Sequence, residues 1–168
     1  MKALILNSGL GSRMGRITEH SPKCLTKLTD EDTILSRQLR LLSYEGISDV
    51  IVTTGYYDKE IESYCESLHL PINYTFVKNP IYDKTNYIYS IYCARENLDD
   101  DLILMHGDLV FEASVLHEIT VSETSVMKVS SVLDLPQKDF KAIIDSGVIV
   151  SRQLRVPAHN KTLHFCRA

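Results

Sequence analysis

Short apolar segments alternate with amphipathic ones along the first part of the chain. Residues 4–6, 49–54, 72–77 and 102–105 are mostly apolar and are bounded by turn residues, which is typical of strands buried on both faces of a sheet. Residues 33–45 carry apolar side chains at roughly helical spacing and precede Gly46, and residues 59–68 repeat the pattern more weakly. This alternation predicts a three-layer α/β/α, Rossmann-like fold with a mainly parallel, mixed sheet and right-handed crossovers.

The pattern changes after Val115. Residues 126–133, 140–144 and 148–150 look like strands, and Asp145-Ser146-Gly147 is typical of a hairpin turn. Residues 152–168 show little periodicity and contain a proline, which favours an irregular tail. We therefore expect one domain over residues 1–151 and an irregular tail over residues 152–168.

Composition narrows the function classes. A chain of 168 residues with 44% hydrophobic and 24% charged residues is typical of one globular domain. No apolar run approaches the roughly 20 residues that span a bilayer, and the opening apolar stretch is too short for a signal peptide. The four cysteines are scattered, and the formal charge of -4 gives no basic surface for a nucleic acid. We expect a cytoplasmic protein with neither a membrane nor a nucleic-acid partner.

A glycine-rich turn follows the first predicted strand. Residues 7–14 read NSGLGSRM, and Pro22-Lys23 follow. Glycine lets the backbone approach a ligand closely and exposes its N–H groups, which suits an anion. A dinucleotide fingerprint would need glycine where Met14 stands, and no P-loop can be drawn. Arg13 and Lys23 suit a triphosphate, although a tight structural turn with solvated cations remains the alternative.

Asp108 comes just after the predicted strand 102–105. Ligands of open α/β sheets bind at the carboxyl ends of the strands, so Asp108 and the glycine turn are expected to face one crevice. From the pattern alone, an Asp after Gly is also a common turn residue. His106 is interpreted as a packing residue at the strand end, and Cys24 is not assigned as a nucleophile.

The run GLGSRM followed by PK resembles the signature of sugar-phosphate and phosphocholine-type nucleotidyltransferases. The resemblance implies catalytic roles for Arg13 and Lys23 on the reacting phosphates, and a Mg²⁺ ion on Asp108. Asn7-Ser8 departs from the small apolar residues followed by glycine that are common in that family. From this turn, the expected nucleotide-binding residues are Asn7, Ser8, Gly9, Gly11, Ser12 and Arg13.

A tyrosine-rich segment lies in the middle of the chain. Residues 82–92 contain four tyrosines, and Thr85 or Asn86 would cap a helix that runs to about residue 97. Its N-x-x-Y-S-[IL]-Y pattern resembles the phosphocholine and aminoethylphosphonate cytidylyltransferases, which implies that Asn86 and Ser90 meet the base and ribose. The tyrosine faces would suit an ammonium headgroup. Tyrosines along the edge of the core are the alternative.

These features together favour transfer of CMP from CTP to a small phosphorylated or phosphonylated amine or alcohol, such as phosphocholine or 2-aminoethylphosphonate, with release of pyrophosphate. The expected partners are CTP or another NTP and that acceptor, and a homodimer is left open. A sugar-1-phosphate nucleotidyltransferase is one alternative. A catalytically incomplete nucleotide-binding domain is another, because relatives usually supply a second metal carboxylate from a later strand. None of Asp134, Asp139 and Asp145 is assigned to that role.

Overall fold

The computed structural model describes residues 1–9, 21–130, 141–153 and 162–165. The chain forms two compact units, Met1–Val121 and Ser122–Ala168. The boundary between them does not coincide with the expected limit at residue 151. In the part of the chain described, no helix has both the length and the apolar character needed to cross a membrane.

The first unit alternates strands and helices. Its elements are β1 (Lys2–Leu6), α1 (Ile34–Tyr44), β2 (Asp49–Thr54), α2 (Asp58–Ser67), β3 (Asn73–Lys78), α3 (Tyr87–Ala94), β4 (Leu102–His106) and α4 (Ala113–Thr120). The four strands form a parallel sheet in the order β3-β2-β1-β4. All of its strand pairs are parallel, whereas a mainly parallel, mixed sheet was expected. The carboxyl ends of β1, β2 and β4 therefore meet at one edge.

Alternating side chains of the sheet contribute to two hydrophobic clusters. Ala3 and Ile5 of β1 belong to the larger cluster, which also contains residues of α1, α2 and α4. Leu4 and Leu6 belong to the second cluster, against which side chains of α3 pack. Helices on both faces of the sheet confirm the predicted three-layer α/β/α fold.

Local signals explain where the helices begin and end. Thr33 caps α1, and its hydroxyl accepts the Ser36 N–H at 3.1 Å, while Gly46 adopts a φ of 77° just past the helix. Helix α4 was not predicted. Only Leu116 of this short helix is fully buried, and Glu112 offers no side-chain cap, so no capping signal marks where it begins.

The second unit is an antiparallel sheet. Its strands are β5 (Val129–Ser130), β6 (Lys141–Asp145), β7 (Val148–Gln153) and β8 (Thr162–Phe165), in the order β5-β8-β6-β7. Ser146 and Gly147 have φ values of 50° and 81° in the predicted hairpin turn. The expectation of an irregular tail is wrong for residues 152–153 and 162–165. Strand β8 pairs with β5 and β6, and such long-range pairing leaves little trace in a four-residue segment.

Candidate functional site

The end of β1 lies between the ends of β2 and β4. The backbone N–H of Asn7 donates to the Thr53 carbonyl at 3.0 Å, and the Gly107 N–H donates to the Leu6 carbonyl at 3.0 Å. Asn7 and Ser8, which open the glycine turn, are thus placed beside Gly107, the residue before Asp108. Ligands of open α/β sheets bind at the carboxyl ends of the strands, which is where these residues lie.

Two glycines flank Asn7 and Ser8. A Cβ atom on Gly107 would lie 1.5 Å from Asn7 Oδ1, and a Cβ on Gly55 would lie 2.4 Å from the Ser8 carbonyl oxygen. The first clash involves a side chain and the second involves backbone. Sequence analysis did not single out Gly55 or assign a role to Gly107. The available signal was position: Gly55 directly follows the predicted strand 49–54, and Gly107 comes two residues after the predicted strand 102–105.

Asn7 and Ser8 each carry a buried polar atom for which the described residues provide no hydrogen-bond partner. Asn7 Nδ2 and Ser8 Oγ are buried, and neither has a hydrogen-bond partner within the described residues. Leaving a buried donor unpaired costs about 1–3 kcal/mol, so such groups call for a ligand or a water molecule. Both atoms therefore fit a site that binds a polar ligand.

Lys23 and Asp108 form an ion pair. Lys23 begins a 3-10 turn, Lys23–Leu25, that follows Pro22, and its Nζ donates to Asp108 Oδ2 across 85 residues of sequence. The two side chains are 35% and 36% exposed. The structure thus brings together the predicted catalytic cation and the predicted metal ligand, both within reach of solvent.

Helix α1 holds the loop that carries Asp108. Gln38 Nε2 donates to the His106 carbonyl at 3.0 Å and to the Leu109 carbonyl at 2.8 Å. Arg37 Nη2 donates to the Phe111 carbonyl at 3.0 Å. Sequence analysis missed both residues. A glutamine within the apolar stripe of α1 was the one signal that could have revealed Gln38.

Most of the predicted glycine turn lies beyond the residues that the structure describes. Gly11, Ser12 and Arg13 lie outside the described residues. A Cβ built on Gly9 meets nothing within 4 Å, so the described surroundings of Gly9 do not require a glycine. The predicted roles of these four residues stay predictions.

Asn86 and Ser90 are engaged within the protein. Asn86, one of the two residues predicted to cap α3, is its cap, and its Oδ1 accepts the Ile88 N–H at 3.0 Å. Ser90 is 1% exposed and its Oγ accepts from Asn79 Nδ2 at 3.1 Å. Asn79 Nδ2 also donates to Thr85 Oγ1 at 2.9 Å. These bonds give the motif a structural role, and its contact with a nucleotide stays a prediction.

The tyrosines of α3 lie in two settings. Tyr87 packs edge-on against the His106 ring with centroids 5.0 Å apart, next to the end of β4. Tyr92 instead carries the Arg95 guanidinium 4.3 Å above its ring. A shallow depression of about 490 Å³ is lined by Lys84, Thr85, Asn86, Ile88, Tyr89 and Tyr92. One face of the Tyr92 ring is thus already in contact with a cation of the chain itself.

Cys24, beside Lys23, is a core residue. Its side chain is 2% exposed, and burial raises the pKa of the thiol to about 12. The neutral thiol is a poor nucleophile at neutral pH, which agrees with leaving Cys24 without a catalytic role.

The donor set at the crevice suits magnesium in one respect. No group of three or more His, Cys, Asp or Glu side chains in the described part of the chain could hold a metal by itself. Magnesium commonly binds through one or two carboxylates together with substrate phosphates and water. Asp108 offers one such carboxylate, in the residue after Gly107, which lies against Asn7, so the residues fit an ion that arrives with a nucleotide.

Comparison with known proteins identifies relatives that match most of this chain. CMP-5'-(3-aminopropyl)phosphonate synthase of Streptomyces rubellomurinus is 32% identical over 122 residues, which are 73% of this chain and 19% of that protein. Choline-phosphate cytidylyltransferase of Streptococcus pneumoniae is 29% identical over 122 residues, 73% of this chain and 51% of that protein. The chain therefore spans about half or less of the length of these relatives.

A solved structure extends the likeness of fold. The inositol-1-phosphate CTP transferase from T. maritima superposes with a TM-score of 0.77 at 21% identity, over 97% of this chain and 67% of that one. Residues 3–125 match the family described as the MobA-like NTP transferase domain. The resemblance drawn from GLGSRM and PK is confirmed. The chain belongs to the MobA-like NTP transferase domain family.

Proposed function

We propose that this chain transfers CMP from CTP to a small phosphorylated or phosphonylated amine or alcohol and releases pyrophosphate. Phosphocholine and 2-aminoethylphosphonate are the leading acceptors. The observation that carries the proposal is the Lys23–Asp108 pair at the carboxyl edge of the sheet. A cation and a carboxylate at the same crevice are what a metal-bound polyphosphate requires.

The named relatives support CTP as the nucleotide. The synthase from Streptomyces rubellomurinus is named for a CMP-aminopropylphosphonate product, and the pneumococcal relative for cytidylyl transfer to choline phosphate. Both names pair a cytidine nucleotide with a phosphonate or phosphate that bears a nitrogen group. This common chemistry favours the same class of acceptor for this chain.

The reaction needs little proton transfer. An anionic oxygen of the acceptor forms a bond to the α-phosphorus of CTP, and the bond from that phosphorus to the bridging oxygen breaks. The electron pair leaves with pyrophosphate. Catalysis then depends on positioning and on offsetting charge.

Lys23 and Arg13 would offset the charge on the phosphates. The Lys23 side chain is 35% exposed and paired with Asp108, so a polyphosphate can draw the ammonium out of a pair that is only partly buried. Asp108 would then hold Mg²⁺, which polarises phosphoryl oxygens when bound. Asn7 Nδ2 and Ser8 Oγ would donate to polar atoms of the nucleotide. Arg13 contributes a planar fork suited to phosphate oxygens.

A matrix of substrates tests the proposal. The protein is incubated with Mg²⁺ and either CTP, UTP or GTP, against phosphocholine, 2-aminoethylphosphonate or glucose 1-phosphate, and pyrophosphate is followed. We expect release with CTP and a nitrogen-bearing acceptor, and its loss in Asp108→Asn. Release with glucose 1-phosphate alone would instead identify a sugar-1-phosphate nucleotidyltransferase. Binding of CTP without pyrophosphate under any condition would identify a catalytically incomplete domain.

A further inference from the structure

We infer that Gln38 is a positioning residue that fixes the Asp108 carboxylate for metal binding. The inference rests on the proposed function, because it assumes that Asp108 is a metal ligand. It adds a residue of α1, distant in sequence from the glycine turn and from Asp108, to the machinery of the site.

Gln38 holds both sides of the turn that presents Asp108. Its Nε2 donates to the His106 carbonyl before Gly107-Asp108 and to the Leu109 carbonyl after it, at 3.0 and 2.8 Å. The Leu109 N–H also donates to the His106 carbonyl at 3.2 Å, which closes the turn. One amide group therefore bridges the two ends of a turn with Asp108 in its middle.

Gln38 stands where an apolar residue would be expected. It is 1% exposed and lies on the buried side of α1 with Leu35, Leu39 and Leu42. Its Oε1 is buried without a partner among the residues described, which carries a cost. A leucine or methionine would fill that space without this cost. The two N–H bonds to the Asp108 turn are what distinguishes glutamine at this position.

The side chain has the right chemistry for both bonds. Each of the two amide hydrogens can reach one carbonyl, and the side chain is long enough to cross from the helix to the turn. A carboxylate of the same shape would repel both carbonyl oxygens. Residues that orient metal ligands from behind commonly change metal affinity by about tenfold to a hundredfold when they are replaced.

Metal binding with CTP but without an acceptor separates positioning from a purely structural role, because the ion is expected to arrive with a nucleotide. Mn²⁺ and CTP are titrated into the whole chain, and the Mn²⁺ bound to the protein is followed by electron paramagnetic resonance. The variants are Gln38→Met, which keeps the volume and removes both bonds, and Gln38→Asn, which keeps the amide on a side chain one methylene shorter. Leu39→Val, a buried change in the same helix, is the matched control, and Asp108→Asn reports the metal site.

We expect about tenfold weaker Mn²⁺ binding in both Gln38 variants, unchanged binding in Leu39→Val and none in Asp108→Asn. Amide hydrogen exchange at Leu109 should also become faster in Gln38→Met, because its turn loses a clamp. If Asp108→Asn binds Mn²⁺ like the unaltered chain, the metal assignment of the proposed function fails. If Asp108→Asn loses binding while both Gln38 variants keep it, or if Leu39→Val weakens it equally, the positioning role is overturned.

Discussion

The carboxyl end of β1 and the N-terminal end of α3 are both rich in polar side chains, but they use them differently. At β1, Asn7 Nδ2 and Ser8 Oγ are buried with no partner in the described residues. At α3, Asn79 bonds to Thr85 and Ser90, and Asn86 caps the helix. In the first region, buried donors lack a partner among the described residues, whereas in the second region the polar side chains bond to one another and to the backbone.

This difference separates binding from scaffolding. A buried donor without a partner is costly and persists where a ligand supplies the missing bond. A satisfied network instead holds a segment in one conformation. We therefore expect changes at the β1 end to affect ligand binding and changes at the α3 end to affect stability.

Removing the Lys23 ammonium should have the largest effect on activity. Lys23→Met is expected to lower kcat/KM for pyrophosphate release by about a hundredfold, because charge on the phosphates is no longer offset. The free energy of unfolding should change by less than about 1 kcal/mol, since both side chains of the pair with Asp108 are partly exposed. Steady-state kinetics and urea unfolding measure the two effects. Turnover within twofold of the unaltered chain would remove Lys23 from the mechanism.

Adding a methyl group to the two flanking glycines should test the packing around Asn7 and Ser8. Gly107→Ala is expected to cost about 1–3 kcal/mol of unfolding free energy, because its Cβ would meet Asn7 Oδ1. Asn7→Ala in the same chain should restore most of it. Gly55→Ala meets the Ser8 carbonyl and should resist the same rescue. Equal rescue of both glycine variants in urea unfolding would contradict this geometry.

A pair of alanine variants compares the two regions directly. Asn7→Ala should weaken CTP binding by about tenfold and leave stability nearly unchanged, since an unpaired amide is removed. Ser90→Ala should lower the free energy of unfolding by about 1 kcal/mol, because Asn79 loses an acceptor. Calorimetric titration of CTP and urea unfolding are measured on both. Weaker CTP binding in Ser90→Ala would instead support the predicted nucleotide contact of Ser90.

Much of the first unit could be predicted from local patterns. Strands β1 and β2 are buried apolar runs, and α1 carries both a capping box and a terminal glycine. Helix α4 and strand β8 were missed because each is short and depends on partners distant in sequence. An element with a clear local pattern can be predicted from its own residues, whereas the other elements depend on tertiary contacts.

Only part of the candidate site could be predicted from the sequence, for a similar reason. Lys23 and Asp108 were predicted from motif and strand position, and the structure pairs their side chains. Gln38, Gly55 and the packing of Gly107 against Asn7 depend on how α1, β1, β2 and β4 come together. No spacing along the chain encodes that a Cβ atom at position 107 would clash with Asn7. Residues that shape a site from neighbouring elements therefore become visible only in the folded chain.

The smallest expected effect concerns the titration of Glu45, a residue that lies outside both regions and serves as a reference for them. Glu45 follows α1 and accepts from His117 Nδ1 at 3.1 Å and from Thr120 at 2.9 Å. The hydrogen bond from His117, and then that from Thr120, lower the pKa of Glu45 in the folded chain.

A lowered folded pKa stabilises the fold above the unfolded pKa of about 4.3, and that contribution disappears as pH falls through the folded value. Glu45→Gln should therefore unfold at lower urea than the unaltered chain at pH 6, and the gap should narrow towards pH 3. Thermal unfolding of Asn7→Ala over the same range should run parallel to that of the unaltered chain, because its side chain carries no charge. A constant gap for Glu45→Gln would show that the carboxylate is not the stabilising form. Such a result would mean that packing alone stabilises the contact between α1 and α4.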